Sequence, residues 1–311
     1  MSQINVTRVS SLQGNNSLSV DSNGTCDVTG NLRIKRWTNS TRPGSPQIGM
    51  IGFNTEEETA EVYDGTEWTG FGGSKIDGSS ADKAAPSAAA ILQVDPTAGD
   101  GVYWIDLPTV GATQVYCAMN SSHLGGGGWM LAWKCTRGNT FNYNNSYWTQ
   151  ANTYNATTQL NRNDGDHKNH VFNYYSGSTI GAVFPDLNNG GQSSVPYNGW
   201  TWRQGLGGQT VLSRLQSQGQ ITGNPRGNRM WQGSGFSNQN GFQWYGFNYT
   251  GNGGNRVRWG FGWNNEGDQG SNDVSNGIGV QRSGASAGDH IYCCQGTTGV
   301  NRTIRAEIWV Q

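Results

Sequence analysis

Apolar and polar positions alternate most clearly between residues 101 and 134. Val102, Trp104 and Leu107 interleave with more polar neighbours, as on a half-buried strand. Val115, Cys117 and Met119 repeat that period of two, and Met130-Leu-Ala-Trp reads as a third strand. Gly125 to Gly128 stand between the last two, where missing side chains permit a tight turn and a second backbone close by. The pattern predicts the start of a small sheet.

Elsewhere the elements are shorter. Residues 1–36 read as brief strands (Ile4-Asn-Val, Leu18-Ser-Val, Cys26-Asp-Val, Asn31 to Lys35) separated by polar turns. Strands with such thin apolar faces gain stability when several chains wind together. In 37–73 two alternating runs, Ile48 to Thr55 and Ala60 to Trp68, flank Glu56-Glu-Glu, and Asp64-Gly65 marks a tight hairpin turn. Residues 74–86 have linker composition. Ser87 to Val94 predicts a short helix ended by Asp95-Pro96, and Asn139 to Asn163 a long ordered polar loop. Phe172 to Phe184, Phe242 to Tyr249 and Arg256 to Trp263 offer strands. Val211, Leu212 and Leu215 share one helical face, with Gly219 as the stop. A terminal strand places Ile304, Ala306 and Ile308 on one face and Trp309 on the other.

Composition narrows the class. Hydrophobic residues make up only 33% of the 311, against 48 glycines and 13 tryptophans. Aromatics must therefore supply much of the core, each burying a large area. The fold class expected is mainly β with short helices (α+β), in one large unit and a smaller one. Net charge is −1 with 13% charged residues, so no basic patch can follow a phosphate backbone and nucleic-acid binding is not expected. No apolar run is long enough to span a bilayer, and the N-terminus shows no charged-then-apolar leader pattern.

Three ordered motifs carry a resemblance: "DGVYWI" at Asp100 to Ile105, "VYCAM" at Val115 to Met119, and "GGGW" at Gly126 to Trp129. Together they resemble the opening of a fibrinogen-like domain, and the Asn/Gly/Trp-rich later half is more similar to the intelectin branch. That family usually pairs the Cys of "VYC" with one in the lead-in helix, where Ala88 stands here. The lost partner, the odd total of five cysteines and the missing leader suggest folding in a reducing cytoplasm, with Cys117–Cys135 and Cys135–Cys293 bridges left open. The "RPGSP…FNT…EVYDGTEW" pattern of 42–68 resembles small β modules of bacteriophage tail-fibre and other virion proteins; its plainer interpretation is a surface hairpin with one aromatic face.

Candidate chemistry concentrates in Trp263 to Gly277, in Ala287 to His290 and in Asp164-Gly-Asp-His. Oxygen-bearing side chains spaced by glycines suit a hard cation such as Ca²⁺, although the spacing is not that of an EF-hand and a solvated Asn/Asp/Gly turn explains it equally well. The metal candidates are Asp164, Asp166, Glu266, Asp268, Asp273 and Asp289. In intelectin-like lectins a Ca²⁺ with open positions chelates an exocyclic sugar diol between flanking aromatics. The resemblance thus implies Trp263, Asn264, Glu266, His290 and Tyr292 as glycan-binding residues, although the family's His ligand has no clean counterpart. For any single Trp, core packing outweighs ligand contact; Trp104, Trp129, Trp133 and Trp309 are assigned to the core.

Catalysis has thin support. A Glu266/Asp268 or Glu266/Asp273 pair sits in a loop too rich in glycine to hold two acids, and Cys117 beside His123 alternates inward. The expectation is a non-enzymatic, Ca²⁺-stabilised adhesin on a virion appendage. It binds host surface glycan and other virion proteins, as a homotrimer without membrane insertion. Its parts are an N-terminal β segment (1–36), a β-hairpin module (37–73), a linker (74–86) and a recognition domain (87–311). A secreted bacterial lectin and a purely structural virion protein are the alternatives.

Overall fold

Four glycines shape the hairpin on which the larger sheet is built. The computed structural model describes residues 18–20, 26–28, 32–70, 76–120, 124–186, 200–217, 242–250, 255–264, 273–291 and 303–311. A Cβ on Gly127 would stand 1.7 Å from the Met119 carbonyl oxygen, and one on Gly128 2.9 Å from the Cα of Ala89. Only glycine lets these backbones meet. The chain is mainly β with short helices and divides into two compact units, residues 1–75 and 76–311.

In the first unit, β1 (Leu18–Val20) pairs antiparallel with β2 (Cys26–Val28). The expected Ile4 strand lies outside the described residues, and the run expected from Asn31 becomes strand only at β3 (Arg36–Trp37). That strand joins β4 (Ile51–Asn54), β5 (Thr59–Tyr63) and β6 (Trp68–Gly70) in a four-stranded sheet of that order, with β3 parallel to β4. The Asp64-Gly65 turn forms as read: Oδ1 of Asp64 accepts from the Thr66 and Glu67 N–H groups at 2.7 and 2.8 Å. Trp37 lies flat against Gly52, where a Cβ would stand 1.9 Å from the indole. Its Nε1 donates to buried Glu61 at 2.8 Å, which also accepts from Asn54 Nδ2 at 3.0 Å and from the Arg42 guanidinium through both oxygens. Arg42, Asn54 and Glu61 of the 42–68 pattern are thus a part-buried ion pair and its amide donor.

The second unit begins earlier than its composition suggests. Residues 76–86, read as linker, lie along the sheet edge: Trp104 N–H donates to Gly78 O at 2.8 Å, Ala85 N–H to Trp104 O at 3.1 Å and Asp106 N–H to Ala85 O at 2.8 Å. The expected helix is α1 (Ala88–Val94), capped by Ser87 Oγ accepting from Ala90 N–H at 3.1 Å. Strand β7 (Gly101–Leu107) has the opposite phase at its start from the one expected. Ile105 and Leu107 point inward, whereas Val102 is exposed and Trp104 only half-buried, because 76–86 and α1 cover the odd-numbered side.

Strands β8 (Gly111–Ala118), β9 (Trp129–Cys135), β10 (His167–Lys168), β11 (Gly177–Phe184), β12 (Trp200–Gln209) and β17 (Ala306–Val310) complete a sheet ordered β12-β11-β17-β9-β8-β7, with β10 beside β9. Between them lie α2 (His170–Tyr174), which takes the start of the strand expected from Phe172, and α3 (Val211–Gln216), whose Val211, Leu212 and Leu215 are buried as its pattern predicts. The second sheet runs β13 (Phe242–Thr250), β14 (Arg256–Asn264), β15 (Val274–Val280) and β16 (Ala287–Ile291). Every residue of β9 and β17 is buried, so both faces of the large sheet are covered at its centre.

The main core is aromatic. Trp202 of the first sheet stacks on Trp259 of the second at 4.4 Å, with Phe247 stacked on the far side at 5.5 Å. The polar 139–163 segment contributes Phe141 and Trp148, both fully buried and 5.2–5.3 Å from Trp133.

Two outcomes are expected. Gly127→Ala should lower the unfolding free energy of the larger unit by about 3 kcal/mol in denaturant titration, since backbone rather than a flexible side chain must yield. Burial pushes the Glu61 carboxyl upward, but hydrogen bonds from Arg42, Trp37 and Asn54 outweigh it and hold it below its ordinary 4.5. A carboxylate lowered in the folded state contributes stability that is complete above the unfolded value and lost as pH falls through the folded one. The Trp37 indole N–H resonance should therefore report loss of packing below the ordinary carboxylate range. Glu61→Gln should abolish that dependence and cost about 1.5 kcal/mol, because charge-assisted hydrogen bonds from the part-exposed Arg42 become neutral-acceptor ones.

Candidate functional site

Strand register carries Trp263, Asn264, Asp273, Asp289 and His290 to one end of the second sheet. Trp263, Val274 and Ile291 form one row across β14, β15 and β16, and Asn264 pairs with Phe242 of β13. The 265–272 connection, which holds Glu266 and Asp268, and the segment beginning with Tyr292 leave the sheet from this end; these three residues lie outside the described ones. Asp273 precedes β15 there, and Asp289 and His290 lie just inside it on β16.

The described part of this end is not the exposed rim expected from the sequence. Asp273, Asp289 and His290 are buried, at 5%, 0% and 9% exposure. Asp289 pairs with Asn276 across the two strands, and His290 with Ser275. A run of Asn, Asp, Ser and Gly looks like a solvated loop, yet here the glycines let strands approach and the polar side chains turn into the interior. These three residues are thus interior to the sheet end.

The other acidic loop is elsewhere and already neutralised. Asp166 accepts from Thr136 N–H at 3.0 Å and Thr140 Oγ1 at 2.6 Å, and Asp164 accepts from Arg137 at 2.9 Å with Arg305 at 3.5 Å. Arg137 also pairs with Asp186, whose second oxygen accepts from Arg305 N–H at 2.8 Å. Beneath lies a buried layer: Arg162 grips Glu307 through three contacts of 2.7–3.2 Å, while Lys134, Glu307's cross-strand neighbour, donates to Gln159 Oε1, Asn161 Oδ1 and Asn163 O at 2.8–3.3 Å. The Arg137 and Arg305 guanidiniums do for Asp164 what a cation was expected to do, and a backbone N–H and a hydroxyl satisfy Asp166.

Position separates the two groups as well. Ser286 N–H donates to Gly138 O and Ser286 Oγ accepts from Phe141 N–H, both at 2.8 Å, which fixes 136–141 at the start of β16. The Trp263–Val274–Ile291 row is at that strand's other end, about 13 Å away at strand rise. Asp164 and Asp166 therefore lie apart from Asp273, which precedes β15 at that far end. Among the described residues, no group of three or more His, Cys, Asp or Glu side chains is placed to hold one metal ion.

Other reactive groups are internal. Cys117 and Cys135 are free and buried, which closes the Cys117–Cys135 alternative, and burial pushes both thiols far above their ordinary value. A thiol in that state is a small hydrophobe, not a nucleophile; His123 lies outside the described residues. His167 is fully buried, its Nδ1 3.0 Å from Asn155 O, and burial lowers its value to about 4. Next to it Lys168 is fully buried, donates to Gln150 O at 2.7 Å and packs over Phe172 at 4.7 Å. Hydropathy alone would not place two lysines inside; the signal available was their position in the β9 and β10 strands.

A recess of about 540 Å³ beside the glycine turn is lined by Leu92, Pro96, Met119 and neighbours. Its polar groups are spent locally: Asp100 accepts from Met119 and Asn120 N–H, and Thr97 Oγ1 donates to Asp95. No protein-family model matches the chain, and comparison with curated proteins finds no match.

Burial lowers Lys168 from 10.5 to about 7. Because the unfolded chain then holds the proton more tightly, stability from this group rises with pH between those two values. The difference between wild type and Lys168→Met should follow that rise, amounting to on the order of 3 kcal/mol in paired melts at pH 7 and 10.

Proposed function

We propose that the chain is a non-catalytic adhesin of a tail-fibre-type virion appendage. In this reading residues 76–311 are a fibrinogen-like, intelectin-related recognition domain for a host surface glycan, and 1–75 an attachment region that docks on other virion proteins within a homotrimer. The observation that supports it is the strand register that brings Trp263–Asn264, Val274 and Ile291 to one sheet end, next to Asp273. An aromatic and amide-rich edge suits sugar C–H faces and hydroxyls, and copy number multiplies a modest site.

Ca²⁺, in this reading, is held by Glu266 and Asp268, with Asp164 and Asp166 left out of the set. The burial of Asp289 and His290 favours a structural role for them. It also keeps the purely structural virion protein as the second reading.

The full chain on an array of host surface polysaccharides, with and without EDTA, tests the proposal. Retention of specific glycans, lost in EDTA and reduced roughly tenfold or more by Glu266→Gln or Tyr292→Ala, is expected. Binding indifferent to chelator removes calcium from the site. Host adsorption unchanged by both substitutions leaves the structural reading in place of recognition.

A further inference from the structure

We propose that the 36–70 sheet packs against the same sheet of a second copy of this chain, through the face that presents Ile51, Phe53, Ala60 and Val62. The inference rests on the multimeric part of the reading above and is independent of any glycan.

Register assigns the two faces. Trp37, Asn54, Glu61, Tyr63 and Trp68 occupy one, and the Arg42–Glu61 pair covers it. Ile51 pairs with Val62, Phe53 with Ala60, and Val62 with Thr69 on the other. Among the described residues that face is only partly covered, by the Arg36 guanidinium over the Phe53 ring at 5.7 Å: Ile51 is 47% exposed, Phe53, Ala60 and Val62 are half-buried, and Thr69 is exposed. Among residues 32–70 Trp37 is the one buried apolar side chain, with Asn54 and Glu61 filling the remaining interior positions. A sheet of this size with one buried apolar group falls short of the core that small domains need, so apolar area has to be gained from outside it.

The charges point to a copy of the same chain as the occupant. Ile51, Ala60 and Val62 are uncharged, and the one cation on the face among the described residues, Arg36 over the Phe53 ring at 5.7 Å, stands at its β3 margin, where a carboxylate of the next copy can meet it. The rim is bipolar: Arg33, Lys35 and Arg36 are exposed along the β3 edge, and Glu56, Glu57 and Glu58 on the β4–β5 turn. A basic edge on one copy therefore finds its complement on the acidic turn of the next. Such a head-to-tail contact closes into a ring when its rotation permits.

Sedimentation velocity on the full chain at micromolar concentration reads the outcome. Thr69→Lys places a charge on the face at a position already exposed, giving up the Thr69 hydrogen bond to Asp64, and self-association should be lost while the Trp37 indole resonance stays in place; Val62→Lys should do the same. Lys35→Glu and Glu57→Lys should each weaken association roughly tenfold, and the two together should restore it. A monomeric wild type, normal association of the Thr69→Lys chain, or failure of the paired swap to restore it overturns the proposal. Association that follows this pattern in a chain retaining no glycan supports the interface and sinks only the recognition reading.

Discussion

The stack of Trp202 on Trp259, backed by Phe247, is the contact on which the larger unit depends. It joins the two sheets, together with Phe261 against Trp202 at 4.5 Å and the Ile304 N–H to Ala287 O bond beside β16. A chain this poor in leucine and isoleucine cannot fill the gap between sheets with branched aliphatics. Flat rings fill it with few residues, and their edges carry donors that must be met inside. Trp259 Nε1 reaches Gln204 Oε1 at 2.8 Å, and Trp148 Nε1 reaches the carbonyls of Phe141 and Asn142. Packing and hydrogen bonding are thus fixed by the same side chains, which leaves little room for alternative core arrangements.

Much of this was legible in residue order. The alternation at Val115, Cys117 and Met119, the α3 face of Val211, Leu212 and Leu215, and the tight approach at Gly127 follow from periods and from the missing Cβ. So does the place of the final strand, with Trp309 in a different hydrophobic cluster from Ile308. What periodicity does not show is which polar stretches fold inward. The 139–163 segment is mostly Asn, Thr and Tyr, yet Phe141 and Trp148 anchor it because two large rings outweigh many small amides. Residues 76–86 read as a linker because backbone hydrogen bonds to β7 leave no trace in side-chain composition.

The candidate site shows the same division. Register could be inferred in outline, so the sheet end that gathers Trp263, Asn264 and Asp273 was foreseeable once strands were placed. Burial was not. Asp289 and His290 belong to a string that looks solvated, and Asp164 to one that looks metal-binding, because sequence spacing does not reveal partners from elsewhere. Arg137, Arg162 and Arg305 come from three separate segments and meet only in the folded chain. The acids were visible; the cations that answer them were not.

The position of β17 has a consequence for how the molecule is made. It lies between β9 and β11, so the middle of the large sheet is absent until Ala306–Val310 arrives, although β9 ends at Cys135. Over that whole interval the nascent chain exposes two unpaired strand edges and the bare sides of Trp133 and Trp129. Non-local pairing of this kind folds slowly, and its assembly has to outrun intermolecular pairing of those edges on or near the ribosome.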